Sequence, residues 1–240
     1  MASRRAADLL IAAGAVLVNG HRPPPSGVLI DPERDRVTVH GRRVLPRRPS
    51  RYLALNKPLG TLVTAADPQG RPTVFDLVGG PGEGRLFAVG RLDAATTGLL
   101  LLTDDGELAY RLSHPRYKVP KEYVAVVRGI PSRRDLEALR CGVELEDGRT
   151  LPAEAELLDG GTGRARVRLV IVEGRNHQVR RMLAAVGHPV EGLTRTAVGP
   201  VRLHRLRPGT WRRLRPSELA ALRLATGLAG GGEGGAGRGR

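Results

Sequence analysis

The chain has 240 residues, more than one average domain and less than two, which favours a large domain with at most a small appendage. Its 39 lysines and arginines outnumber 24 acids, a net charge of +15 that draws polyanionic partners. The single cysteine, Cys141, excludes an internal disulfide and a cysteine-cluster metal site, and no apolar run reaches the roughly 18 to 20 residues of a membrane span. These features predict a soluble, cytoplasmic protein in a reducing compartment, with Cys141 as a small buried hydrophobe. Nearly all the basic residues are arginine, which together with abundant alanine and glycine points to a GC-rich gene. Such a bias explains arginine over lysine, but not the excess of bases over acids.

In chain order, Ser3 is a candidate cap for a helix whose apolar positions are Ala6, Leu9, Leu10 and Ala13, stopped by Gly14. The Arg4-Arg5 pair before this apolar stretch resembles a short signal peptide, but Asp8 and the Asn19-Gly20 turn speak against export. Val16 and Val18 alternate as a strand into that turn, and Val37 to His40 form a second strand. Residues 1–41 thus make a small module with little core of its own. Residues 42–50, GRRVLPRRPS from Gly41, are basic and carry two prolines, the mark of a linker.

From residue 51 to 226 short β-like runs alternate irregularly with helices. Strands are expected at Tyr52–Leu55, Leu86–Val89, Leu99–Leu102, Tyr123–Val127 and Ala165–Val172. Helices are expected at Glu107–Ser113, Ser132–Arg140, His177–Val186 and Ser217–Ala225. This predicts an α+β fold with a mixed, largely antiparallel sheet and flanking helices. Residues 227–240 are glycine-rich and read as a disordered tail; with no strand before them and no helix after, they do not form a phosphate loop.

Two polar clusters resist explanation by packing. Gly90-Arg91-Leu92-Asp93-Ala94-Ala95-Thr96-Thr97-Gly98 sits between two apolar runs, where a loop carries either catalytic groups or a solvated Arg91–Asp93 pair. In Glu173-Gly174-Arg175-Asn176-His177-Gln178-Val179-Arg180-Arg181-Met182 a strand ends in a polar turn that enters a helix. Val179, Met182, Leu183 and Val186 form that helix's apolar stripe, with Arg180 at its border. His177 offers a general base or a metal ligand, but no second His, Cys or carboxylate stands at metal spacing, so a capping or structural role fits it better. Asp104, Asp105 and Glu107 lie in a helix's first turn, where acids favour its dipole, and read that way rather than as a metal or acid pair.

The stretches GRLDAATTGLLLLTDDGELAYRLSHPRYKVPKEYVAVVRG and EGRNHQVRRMLAAVGHPV resemble pseudouridine synthases of the RsuA and RluB type. YLALNKPLG at 52–60 resembles that family's first core motif, and LTRTAVGPVRLHRLRPGTWRRL at 193–214 its closing segment. The resemblance covers roughly residues 3–226 and rests on several motifs in order, where GRLD alone would be weak. It implies a catalytic domain at 51–226 that isomerises a uridine of ribosomal RNA without cofactor or metal. The front module resembles the family's S-four-like (alpha-L) RNA-binding domain, with Met1 falling where an internal residue usually stands, so either the start codon is misassigned or the module is truncated and lacks its first helix.

The resemblance further implies site residues. Asp93 is the essential carboxylate, acting as nucleophile or as base on the ribose. Tyr123 stacks on the detached uracil, Arg180 pairs with Asp93, and Arg91 stands near the space left by the flipped base. Arg4, Arg5 and Lys57 are expected RNA contacts, with Asn56, Lys57 and Pro58 also shaping the pocket. The stretch RLSHPRYKVPKEYVAVVRG favours large-subunit over small-subunit RNA as substrate, either free or in a precursor particle, bound by a monomer. A noncatalytic RNA-binding or ribosome-assembly factor on the same scaffold is the alternative.

Overall fold

The computed structural model describes residues 4–24, 27–31, 34–44, 49–79 and 86–228, without the side chains of Arg4 and Arg5. The proposed Ser3 cap and the glycine-rich stretch 229–240 lie outside the described residues. The chain divides into two compact units, residues 1–50 and 51–240.

In the front unit, helix α1 (Arg4–Ala12) precedes strands β1 (Val16–Val18), β2 (Val37–Val39) and β3 (Arg42–Arg43), which pair antiparallel in that order. Arg42 and Arg43 thus belong to a strand and not to the expected linker: Arg42 faces Val39 and Arg43 faces Thr38. Asn19 and Gly20 both adopt left-handed backbone, as the predicted tight turn requires. Asn19 also ties the unit together. Its Oδ1 accepts from Arg36 N (2.8 Å) and its Nδ2 donates to Asp35 Oδ1 (2.8 Å). The half-buried side of α1 is Ala6, Ala7, Leu10 and Ile11; Leu9, expected inward, is 71% exposed, and Ala13 is exposed too.

The second unit is built on strands β4 (Tyr52–Lys57), β5 (Phe87–Ala88), β6 (Thr96–Thr103), β7 (Lys121–Arg128), β8 (Glu154–Gly161), β9 (Arg164–Ile171), β10 (Val190–Val198), β11 (Val201–Arg202) and β12 (Trp211–Arg213). The main order is β12-β4-β6-β10-β7-β9-β8, with β5 added to β6 and β11 to β10. Among the described strands only β6 and β10 run parallel, so the sheet is mixed and largely antiparallel. Helices α2 (Val74–Leu77), α3 (Gly106–Ser113), α4 (Arg133–Cys141), α5 (Gln178–Ala185) and α6 (Pro216–Ala225) complete the unit.

The unbroken apolar run of β6 follows from its place in the sheet. Leu99 and Leu101 face one core cluster with Ala54, Leu108, Leu112 and Leu222, while Leu100 and Leu102 face another with Leu53, Leu55 and Val74. A strand covered on both faces needs no polar alternation. A third cluster packs β7, β9 and β10 against α4 and α5 through Val127, Leu139, Val167, Leu169, Met182 and Leu183. Two helix starts are capped by side chains: Asp105 accepts from Leu108 N (3.1 Å), and Ser132 with Asp135 forms a capping box. Cys141 departs from expectation. It ends α4 off the Leu136–Leu139 face and is exposed. Leu228, placed by sequence in the disordered tail, packs against the Leu222 cluster just past α6.

A candidate active site at the joined ends of β6, β7 and β10

The segment before β6 is pinned at several points. Leu92 is buried in the core beside Leu100, while Asp93, the next residue, is exposed. Beyond it, Ala94 O accepts from Gly60 N (2.9 Å), and Ala95 O accepts from Arg180 Nη2 (2.8 Å). Thr96 N donates back to Asp93 O (3.0 Å), closing the turn that feeds β6. Gly98 lets β10 approach: with φ +103, a Cβ there would lie 2.3 Å from Arg195 O. An aspartate is therefore held on rigid backbone at the mouth of a cleft.

The second polar cluster forms the facing rim. Buried Glu173 accepts from Leu151 N (3.0 Å) and from the Gln178 amide, and its other oxygen takes Arg175 Nε (3.2 Å). Arg175 also donates to the carbonyls of Gly148 and Arg149, both at 2.7 Å. Arg181 grips Asp147 with two bonds of 2.9 Å, which hold that carboxyl near pKa 2. The turn is thereby fixed in shape, and His177 sits at its tip in left-handed backbone (φ 49) at the N-terminus of α5.

Asp93, Tyr123 and Arg180, which lie far apart in sequence, line one cleft of about 300 Å³ together with Arg91 and His177. A more open groove of about 390 Å³ shares Arg91, Leu92 and Asp93 with it. Tyr123 is half-buried on β7, opposite Arg195 on β10 and Leu169 on β9.

Three expectations need correction. The Arg180 guanidinium makes no ion pair with Asp93; it is taken up by the carbonyls of Ala95 and Val190 (2.8 and 3.3 Å), so it secures the backbone two residues away. The partner of Asp93 is His177, whose Nε2 lies 3.4 Å from Oδ1, and the imidazole makes no capping bond. Lys57 is fully buried and cannot meet RNA directly. Its ammonium donates to Pro58 O (3.0 Å) and reaches toward Ala94 O (3.5 Å). Burial lowers its pKa to about 8, against the opposing pull of the Asp93 charge. Arg91 is exposed at the cleft, and nothing is described of the Arg4 and Arg5 side chains.

Sequence reasoning missed Arg195, buried at 4% exposure on the cleft wall. A signal existed: Leu193, Arg195 and Ala197 share one parity of a strand, and an arginine at the inward parity asks for an explanation. Among the described residues no three His, Cys, Asp or Glu side chains gather as a metal site, and no helix is long and apolar enough to cross a membrane.

The cleft thus sets one aspartate among the cations Arg91, Lys121, Arg175, Arg180 and Arg195, on a mixed sheet flanked by helices. Residues 51–185 match the family model of RNA pseudouridylate synthases. An uncharacterized RNA pseudouridine synthase of Mycobacterium tuberculosis is 47% identical over 230 residues, 95% of this chain and 91% of that protein. The ribosomal large subunit pseudouridine synthase B of Bacillus subtilis is 43% identical, over 93% of this chain and 91% of its own. A crystallised pseudouridylate synthase superimposes with a TM-score of 0.68 at 36% identity, covering 92% of this chain and 94% of that one. The chain belongs to the RNA pseudouridine synthase family, a family of isomerases.

Proposed function

We propose that this enzyme converts a specific uridine of large-subunit ribosomal RNA to pseudouridine in the cytoplasm, with Asp93 as the essential carboxylate. The observation that carries the assignment of residues is the meeting of Asp93, Tyr123 and Arg180 at one cleft. The choice of large-subunit RNA rests on the Bacillus subtilis relative and on the stretch at 111–129. The isomerisation breaks the bond from ribose C1′ to uracil N1, turns the ring, and forms a bond from C1′ to C5. A base inside a stack cannot make that movement, so it must first be flipped into the cleft. Asp93 then attacks C1′ or takes a ribose proton, and Tyr123 stacks on the freed ring. Arg180 acts as a positioning residue, fixing Ala95 and with it the carboxylate. Arg91, exposed beside Asp93, meets the RNA at the mouth. The front unit serves as an S-four-like RNA-binding module.

The test is Asp93→Asn, nearly isosteric, in single-turnover assays on ribosomal RNA transcripts. Pseudouridine formation is expected to fall by at least about 10³-fold, roughly 4 kcal/mol of barrier, with RNA binding retained. Activity within about tenfold of wild type overturns the role of Asp93. Mapping ribosomal RNA from a strain lacking the gene checks the substrate, and a site lost from the small subunit instead overturns that part.

A further inference from the structure

The cleft contains a cluster that the proposed chemistry leaves unused. Lys121, Arg195 and Thr96 line it beside Tyr123. On β10 and β7, Arg195 is the cross-strand partner of Tyr123, and Lys121 lies two residues along from Tyr123 on the same face. Arg195 is 4% exposed; its Nε donates to Leu99 O (2.7 Å), but its Nη2 is buried without a partner. The Thr96 hydroxyl is likewise buried and unpartnered. Among the described residues, neither Arg195 nor Lys121 has a carboxylate within 4 Å. Burial and the Arg195 charge together lower the Lys121 ammonium to about 8.

Two neighbouring cations, one buried and the other half-buried, without a counter-charge are unfavourable in the free protein. Such an arrangement is offset when an anion enters between them. RNA phosphates cannot readily be that anion, because the strand must enter and leave and its backbone stays at the mouth. The flipped base is the part of the substrate that reaches a wall this buried. Resting on the function proposed above, we infer that Lys121 and Arg195 bind the carbonyl oxygens of the flipped uracil and stabilise its negative charge as the glycosidic bond breaks. When the bond from C1′ to N1 opens, the electron pair stays on N1 and spreads over O2 and O4. This holds whether C1′ is taken by the Asp93 oxygen or loses its charge by giving up the C2′ proton. After the ring turns, C5 bonds to C1′ as the Asp93 oxygen leaves it or, in the other route, as C2′ takes back its proton from Asp93; the C5 proton is then released and N1 gains one, so no co-reactant is consumed. Fixed cations aimed at charge that develops during a reaction are worth most where water is excluded.

The experiment uses the full chain in excess over transcribed large-subunit ribosomal RNA and compares wild type, Lys121→Met, Lys121→Arg and Lys118→Met. Lys118 is exposed and serves as the charge control. Lys121→Met is expected to slow the single-turnover rate about 100-fold, with the RNA Kd within threefold of wild type and an unchanged or higher melting temperature. Lys121→Arg should recover at least a tenth of the rate, and Lys118→Met should match wild type. In RNA carrying 5-fluorouridine, the ring is a better leaving group, and the Lys121→Met deficit for consuming the target nucleotide should shrink to less than tenfold. A Lys121→Met rate within twofold of wild type overturns the inference, as does an equal deficit on both RNAs, which marks a structural role. A weakened Kd with an unchanged rate at saturation assigns the cations to a phosphate and also overturns it. Wild-type protein that makes no pseudouridine in either subunit's RNA overturns the function itself, and the inference with it.

Discussion

The two units hold their shape by different means. None of the described residues of the front unit is buried, and its order comes from short ladders, an Asn-Gly turn and the Asn19–Asp35 latch. The larger unit has three apolar clusters, with β6 shared between two of them. Catalysis by a carboxylate demands placement within a fraction of an ångström, which a strand locked by Leu99 to Leu102 can supply. Contact with a polyanion demands charge and reach, which a small module carrying nine arginines against four acids can supply without a deep core. The contrast teaches that the rigid unit can be damaged through its packing, and the front unit chiefly through its charges.

The largest effect separating the units is expected from apolar truncation. Leu100→Ala, at a position with no exposure between β4 and the α2 side, should cost about 3 kcal/mol. Denaturant unfolding followed by the fluorescence of Trp211, the one tryptophan and a residue of the larger unit, measures it. Leu9→Ala, at 71% exposure, should cost under about 0.5 kcal/mol, read from hydrogen exchange of the Val37–Val39 amides. A loss above about 2 kcal/mol at Leu9 would show the front unit to depend on apolar burial after all.

A smaller effect separates the units by pH. Glu218, in the first turn of α6, accepts two bonds from Arg212 (2.7 and 2.8 Å) and one from Arg215 N (2.8 Å). The Arg212 bonds outweigh burial and hold its carboxyl near pKa 2 against 4.5 for the free group. A lowered folded pKa stabilises in full above pH 4.5 and is lost as pH falls toward 2. Glu218→Gln should therefore lose about 2 kcal/mol at neutral pH, and the gap to wild type should close by about pH 2. A gap independent of pH would assign the loss to packing. Asp35 in the front latch is also lowered, by Asn19 and by Asp31 N, but it stands in water, where screening leaves little to lose.

What can be read from the sequence follows the same division between local and tertiary causes. The β6 run, the helices at 106–113, 133–141 and 178–185, and the two polar clusters of the cleft all carry local signals: apolar runs, caps and turn residues. Strand β8 carries only a faint signal: as an edge strand it turns Glu154, Glu156 and Asp159 outward, and its inward face is just Ala155 and Leu157, an alternation too short to stand out. Helix α2 is a single turn, too short for a period to show. The parallel pairing of β6 with β10 joins segments that share no local cue. The contact of His177 with Asp93 and the burial of Lys57 arise the same way, from a turn and a strand brought together by the sheet. Resemblance assigns Arg180 to Asp93, yet from its place on α5 the guanidinium meets the carbonyl of Ala95, two residues past Asp93.

The smallest expected effect bears on the front unit's role. Removing residues 1–48 deletes all nine of its arginines and its four acids, which takes five positive charges from the total of +15. If that unit binds phosphates, its removal also abolishes the counterion release that those phosphates supply, and the slope of log affinity against log salt should become shallower. At moderate salt the Kd for ribosomal RNA should rise about tenfold, near 1.4 kcal/mol, while the single-turnover rate at saturating enzyme stays within about threefold. The larger unit retains Asp93, Tyr123 and its core clusters in the truncated chain, so chemistry on bound RNA should be spared. An unchanged Kd and salt slope would remove the front unit from RNA recognition. A collapsed rate with an unchanged Kd would instead make it part of the catalytic apparatus, and the division of labour between the units would fail.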